Sequence, residues 1–265
     1  MIYETIFNSM RKMDNYKIIN TGDSELCFIF CSSNNIYYPD TEEEIVKTIF
    51  EKDRYEWERI SQNIEGKKIF LRDILKAWYA HGINMEINSI DKIVLMLKRE
   101  TSGYKIVTVG NSAGGYLALL LGAMLDAEYS IVFSPQNNLK KYDPYWKCPF
   151  LSKEFAKKNS YLDLSEIIKN QSKCVFYFYS AFCQEDVIQA NYIKKNNDFY
   201  VFPMNSKWHG KNIYNFNMKT LLTLSPEQLI ELNRFYKSKK FINKISFSIH
   251  LDGIIFTLKK FLKTR

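Results

Sequence analysis

The chain has 265 residues, 46% of them hydrophobic and 25% charged, a balance that buries one sizeable core and excludes a disordered, collagen-like or small disulfide-stapled protein. Net charge is +8, but eight cationic side chains against Asp252 place +7 of it in residues 237–265, so the body carries only +1. With neither a basic folded face nor a binding motif in view, this charge does not point to nucleic acid.

From the N-terminus, MIYETIFNSMRKMDNYK holds no apolar core of signal-peptide length, and no apolar run nears the roughly 18 residues that span a bilayer. Short apolar runs then alternate with helical patterns. ELCFIFC (25–31) and KKIFLR (67–72) read as buried strands, separated by the irregular stretch 37–66. Over 88–100, Ile90, Ile93, Val94 and Leu97 recur at helical spacing. Strands follow at YKIVTVG (104–110) and YSIVFS (129–134), with a helix over 113–125 that is apolar nearly all round. Beyond a second irregular stretch, 137–170, come the strands KCVFYFY (173–179) and FYVFP (199–203). Such alternation predicts an α/β fold, a mostly parallel sheet with helices on both faces. Ser225-Pro226-Glu227-Gln228 is a helix start with Ser as N-cap and Pro at the first position, opening a helix to about residue 239. The reading is one domain over 1–236 and a basic helical extension over 237–265. The stretches 37–66 and 137–170 are candidates for a cap over a substrate.

In the extension, Phe241, Ile245, Ile249, Ile254, Leu258 and Phe261 alternate with lysines. This pattern suits either an interfacial amphipathic helix that meets an anionic membrane or an assembly partner, or a helix packed on the body with a solvated basic face.

The motif that carries chemistry is Gly110-Asn111-Ser112-Ala113-Gly114, which matches G-x-S-x-G and falls between a predicted strand and a predicted helix. Such a turn strains the serine backbone and lifts its hydroxyl into the open, and side chains at the glycine positions would collide with the neighbouring strand and helix.

A serine hydroxyl needs a base within hydrogen-bond reach and an acid that orients the base. The chain offers His81, His209 and His250. His209, in Lys207-Trp208-His209-Gly210, follows the last predicted strand by a short loop, which places it at the carboxyl edge of the sheet where ligands bind. The acid belongs near the end of the penultimate strand. Asp186 fits, with Glu185 as the neighbouring alternative. An oxyanion hole would use the backbone N–H of Ala113 and one from Ser32 or Ser33.

His81, among aromatic residues in Trp78-Tyr79-Ala80-His81-Gly82, reads as a packed structural group, and His250 lies in the basic tail. Five cysteines (Cys27, Cys31, Cys148, Cys174, Cys183), odd in number and without CxxC spacing, read as reduced thiols of a cytoplasmic protein. Cys31 and Cys183 read as buried small hydrophobes. No spacing suggests a bound metal or nucleotide cofactor.

With Ser112, Asp186 and His209 in that order and strand contexts that agree over about residues 25–222, the chain resembles the α/β-hydrolase superfamily. More narrowly, Arg72-Asp73, Trp78-Tyr79, His81-Gly82, Gly-Asn-Ser-Ala-Gly-Gly-Tyr (110–116) and Phe133-Ser134-Pro135-Gln136 resemble hydrolase-like proteins of bacterial capsule and surface-polysaccharide synthesis, some of which are O-acetyltransferases. The resemblance implies an α/β-hydrolase fold and an acyl-transfer enzyme acting on a glycan or small acyl ester. It implies acetyl-CoA as the donor in the transferase case; the reduced cysteines and the basic tail lead to the expectation of a cytoplasmic protein, or one peripheral at the inner membrane face. The resemblance also leaves a non-catalytic relative, binding a glycan or an assembly partner through the same cleft, as the alternative. The sequence departs from the lipase HGGG pattern, having Cys31-Ser32-Ser33-Asn34 instead.

Overall fold

The computed structural model describes residues 2–33, 41–140, 161–168, 173–193 and 198–263. Cys148, Asn34, Arg265 and much of the stretch 137–170 lie outside the described residues.

Seven strands form one sheet: β1 (Tyr16–Thr21), β2 (Leu26–Cys31), β3 (Gly66–Leu71), β4 (Lys105–Asn111), β5 (Tyr129–Phe133), β6 (Cys174–Ser180) and β7 (Phe199–Met204). Their order is β1-β3-β2-β4-β5-β6-β7. Only β1 runs antiparallel, pairing Tyr16 with Leu71 of β3 at one end and Thr21 with Gly66 at the other. All other pairings are parallel, as the six apolar runs predict. No strand is expected over 16–21 from sequence, because this half-buried edge strand shows no apolar run.

A pleated strand sends successive side chains to opposite faces. Cys27, Ile29 and Cys31 of β2 therefore join one core cluster. Phe28 and Phe30 join the other. The first face is covered by α1 (Ile2–Lys12), α2 (Ile90–Glu100) and α3 (Ala113–Met124), through Ile6, Met10, Ile93, Leu97 and residues 116–121. The second face is aromatic: Phe133 stacks on Phe178 with ring centroids 5.0 Å apart, and Phe178 on Phe202 at 4.2 Å. It is covered by α5 (Pro226–Tyr236) and α6 (Lys244–Asp252), whose Leu229, Leu232 and Phe247 are buried. Between α3 and α5 in the chain, α4 (Gln184–Tyr192) follows β6, and α7 (Ile254–Lys263) closes the described residues.

The helix starts obey local rules. The side chain of Ser89 caps α2 by accepting from Lys92 N–H at 3.2 Å. Ser225 and Gln228 form a reciprocal capping box at α5, with Pro226 at the first position, which satisfies two donors that a helix start leaves orphaned. That helix ends at Tyr236, three residues short of the expected 239. The C-terminal segment is fastened to the body: Ile242 N–H donates to Pro203 O at 2.7 Å, and Asn205 N–H to Ile242 O at 2.8 Å, along the outer edge of β7. Among the described residues no helix is long and apolar enough to cross a membrane.

Candidate active site

The parallel strands β4, β6 and β7 all point their carboxyl ends at one edge of the sheet, and each delivers one residue there. Ser112 sits between β4 and α3 with φ 54° and ψ −120°, a left-handed backbone that a side-chain-bearing residue adopts only under strain. Its N–H donates to Phe133 O at 2.8 Å and its carbonyl accepts from Tyr116 N–H at 3.0 Å, so the turn is pinned from both sides. The glycines are explained by contact. A Cβ at Gly110 would stand 2.1 Å from Gly114 O, and one at Gly114 would stand 2.2 Å from Cys31 O. At both positions helix and strand approach too closely for any side chain.

His209 comes from the loop after β7. Its Nε2 lies 2.7 Å from Ser112 Oγ, and its Nδ1 lies 2.5 Å from Asp186 Oδ1. Gly210, with φ 68°, lets this loop lie over Asn111: a Cβ there would stand 3.1 Å from the Asn111 amide. Asp186 lies in the first turn of α4, just past β6, and is 2% exposed. A helix start favours a negative charge. The neighbouring Glu185 faces solvent.

Asp186 is held by residues to which the sequence assigned no such role. Asp186 Oδ2 accepts from Ser180 N–H at 2.9 Å and from the Ser134 hydroxyl. Ser134 lies past β5 and in turn accepts from Gly210 N–H at 3.2 Å. Asn212 Oδ1 lies 2.7 Å from Ser180 Oγ and 3.0 Å from Ser134 Oγ, and its amide donates to Phe178 O at 3.1 Å. The ends of β5, β6 and β7 are thus tied into one polar cluster around a buried carboxylate.

The oxyanion donors divide. Ala113 N–H opens α3, where no intrahelical carbonyl is available to it. The expectation for Ser32 or Ser33 needs correcting. Ser32 N–H donates to Leu71 O at 3.2 Å, continuing the sheet ladder, and Ser33 N–H donates to the Glu56 carboxylate. Glu56 also accepts from the hydroxyls of Ser32 (2.9 Å) and Ser33 (2.8 Å), and burial pushes its pKa up against these lowering hydrogen bonds. Both serines lie beside the turn, since a Cβ at Gly114 would also stand 2.8 Å from the Ser32 carbonyl carbon. In this structure, however, both N–H groups are engaged.

The loop after β3 walls this segment. Arg72 is fully buried, donates to Asn15 Oδ1 and Arg54 O, pairs with Asp53 at 3.2 Å and stacks 4.3 Å from the Tyr55 ring centroid. Asp73 Oδ2 accepts from Ala77 N–H and Tyr79 N–H, both at 2.8 Å, and so holds a turn in which Trp78 and Tyr79 have φ 50° and 59°. Burial raises the Asp73 carboxyl to about 6, opposed by those N–H donors and by His81. Tyr79 OH reaches Ser32 O at 3.1 Å, and Trp78 Nε1 donates to Gln136 at 2.5 Å. These residues support the site from outside.

His250 lies against Phe235 and Tyr236, with ring centroids 4.6 and 5.7 Å away, remote from Ser112 in the contacts it makes. Cys31 is buried, its thiol pushed upward by burial, and Cys183, also shifted up by burial, precedes α4. Among the described residues no cluster has the make-up of a metal site. A cavity of about 470 Å³ opens at the amino ends of β2, β4 and β5, the edge opposite Ser112, and no histidine lines it.

No family model matches the sequence, and no curated protein matches it either. The structure is similar to a capsule O-acetyltransferase of Neisseria meningitidis serogroup A in complex with CoA, with TM-score 0.50 and 14% identity over 87% of this chain and 98% of that one. The chain has the α/β-hydrolase fold. The same acetyltransferase with caged gadolinium gives TM-score 0.50 and 13% identity over 85% of this chain and 90% of that one. Est1E of Butyrivibrio proteoclasticus with ferulic acid bound gives 0.49 and 11% over 82% and 95%. Ser112, Asp186 and His209 follow β4, β6 and β7 in chain order, at one edge of this fold.

Proposed function

We propose that the chain is a serine acyl-transfer enzyme that works through an acyl-serine intermediate, esterase-like or as an O-acyltransferase on a bacterial surface or capsular glycan. The observation that carries this reading is the unbroken relay from Ser112 Oγ to His209 Nε2 (2.7 Å) and from His209 Nδ1 to Asp186 Oδ1 (2.5 Å), on a strained turn.

Ser112 Oγ attacks the acyl carbonyl carbon while His209 Nε2 takes its proton. The oxyanion forms against Ala113 N–H, which the start of α3 leaves available and which the helix dipole favours. As the bond to the leaving group breaks, His209 returns the proton to the leaving oxygen or sulfur. It then deprotonates the incoming hydroxyl, which attacks the acyl-serine and regenerates Ser112. Asp186 stays ionised throughout, fixing the imidazole tautomer and balancing the imidazolium charge. Removing one oxyanion donor in such a site costs about 3 kcal/mol of barrier.

A glycan acceptor and acetyl-CoA as donor are supported by the sequence resemblance to capsule-synthesis proteins and by the CoA complex of the acetyltransferase with the similar fold. The test is release of free CoA from acetyl-CoA with and without a glycan acceptor. Acceptor-dependent release supports the transferase, acceptor-independent release an esterase-like hydrolase, and glycan binding without turnover by Ser112 would overturn both.

A further inference from the structure

The last helix presents an apolar stripe that the body does not cover. At 3.6 residues per turn, Ile254, Leu258, Leu262 and Ile255 fall within about 100° of arc on α7. They are 58%, 55%, 74% and 66% exposed. The flank of the helix next to Ile254 is what holds it. Thr257 is fully buried with its hydroxyl 3.0 Å from Ser248 Oγ, and the Phe261 ring meets Tyr214 edge-on at 5.0 Å and Phe216 at 6.0 Å. Gly253, at φ 81°, turns the chain between α6 and α7. The stripe is therefore displayed by a fastened helix and is no loose tail.

Its charge surroundings select the occupant. Lys259 is exposed beside the stripe, and the stretch 237–265 carries eight cations against one acid. That acid, Asp252, is turned inward, where it accepts from Asn217 and Thr220. An apolar stripe flanked by Lys259 on a segment of net positive charge complements an anionic bilayer surface, where the apolar side chains enter the acyl boundary and the cations meet lipid phosphates. A second copy of the chain would instead bring lysine borders face to face, which like-charge repulsion disfavours.

We propose that α7 is an interfacial helix which docks the protein on anionic lipid bilayers through Ile254, Ile255, Leu258 and Leu262. This is independent of the chemistry at Ser112.

The test is co-sedimentation of the full chain with vesicles of phosphatidylglycerol and phosphatidylcholine, against vesicles of phosphatidylcholine alone. Binding to the anionic vesicles is expected to be at least about tenfold tighter and to weaken as salt is raised. Leu258→Asn combined with Leu262→Asn should lower it at least about tenfold, and Lys259→Glu about tenfold. Circular dichroism of these surface variants reports that the fold is kept, and Ser112→Ala should bind as the unsubstituted chain does. Failure to sediment with anionic vesicles, or sedimentation unchanged in both α7 variants, would overturn the proposal. So would self-association in velocity sedimentation that the Leu258→Asn/Leu262→Asn variant loses while no vesicle binding is found.

Discussion

The hydroxyl of Ser134 donates to Oδ2 of Asp186, the carboxylate oxygen turned away from His209. Two residues 52 positions apart thus share one buried contact, and Ser134 acts as a positioning residue for the acid. A hydrogen bond to a charged group contributes about 1.5–3 kcal/mol. Ser134→Ala is therefore expected to lower kcat about tenfold to a hundredfold with KM unchanged, in steady-state assays with a small acyl ester. A change in KM alone would contradict this placement.

Asp186→Asn removes the charge and leaves an amide that favours the wrong imidazole tautomer. Here kcat should fall about 10⁴-fold while the thermal midpoint of folding stays close to that of the unsubstituted chain. Glu185 is exposed, and Glu185→Gln should leave kcat within about twofold.

The strain at Ser112 makes a stability prediction separate from catalysis. Glycine adopts φ 54°, ψ −120° freely, so Ser112→Gly should abolish turnover yet raise unfolding free energy by about 1 kcal/mol in urea titration. Ser112→Ala keeps the strain and should abolish turnover without that gain.

At Gly114 the direction reverses. A methyl group there meets the backbone oxygen of Cys31 at 2.2 Å, with no flexible side chain to move aside. Gly114→Ala should cost at least about 3 kcal/mol and also pull α3 away from β2. Urea titration measures the loss.

Asp73 sets a pH dependence of stability. Its folded carboxyl titrates near 6, above the ordinary 3.8, so the folded state binds the extra proton and stability from this group is full below about 4 and lost as pH rises through 6. Relative to Asp73→Asn, whose amide oxygen still accepts from Ala77 and Tyr79 N–H, the unsubstituted chain should lose about 2 kcal/mol over that window. Urea titrations across pH 4 to pH 7 give the comparison.

The elbow was legible because its glycines and serine stand at a junction between an apolar run and an apolar helix, a local pattern. His209 was legible because only three histidines exist and one follows the last strand. Asp186 could be placed to within a residue, since strand ends bound where an acid can reach. The rest is tertiary. Ser134, Asn212 and Glu56 meet the site across 23 to 78 positions of chain; Ser134 stands in a segment that carries the resemblance, but no periodicity or spacing marks the contacts these residues make. The same reason explains Ser32 and Ser33: their position beside the elbow follows from strand order, but their N–H partners, Leu71 O and Glu56, come from other elements. The edge strand Tyr16–Thr21 escaped because half-buried edge positions need not be apolar.

Labelling with a fluorophosphonate followed by peptide mass spectrometry shows whether Ser112 is an activated nucleophile. The geometry predicts one adduct, on Ser112, absent from Ser112→Ala and strongly slowed in His209→Ala. A folded protein that takes up no label, or takes it up equally well in Ser112→Ala, would contradict a nucleophilic Ser112.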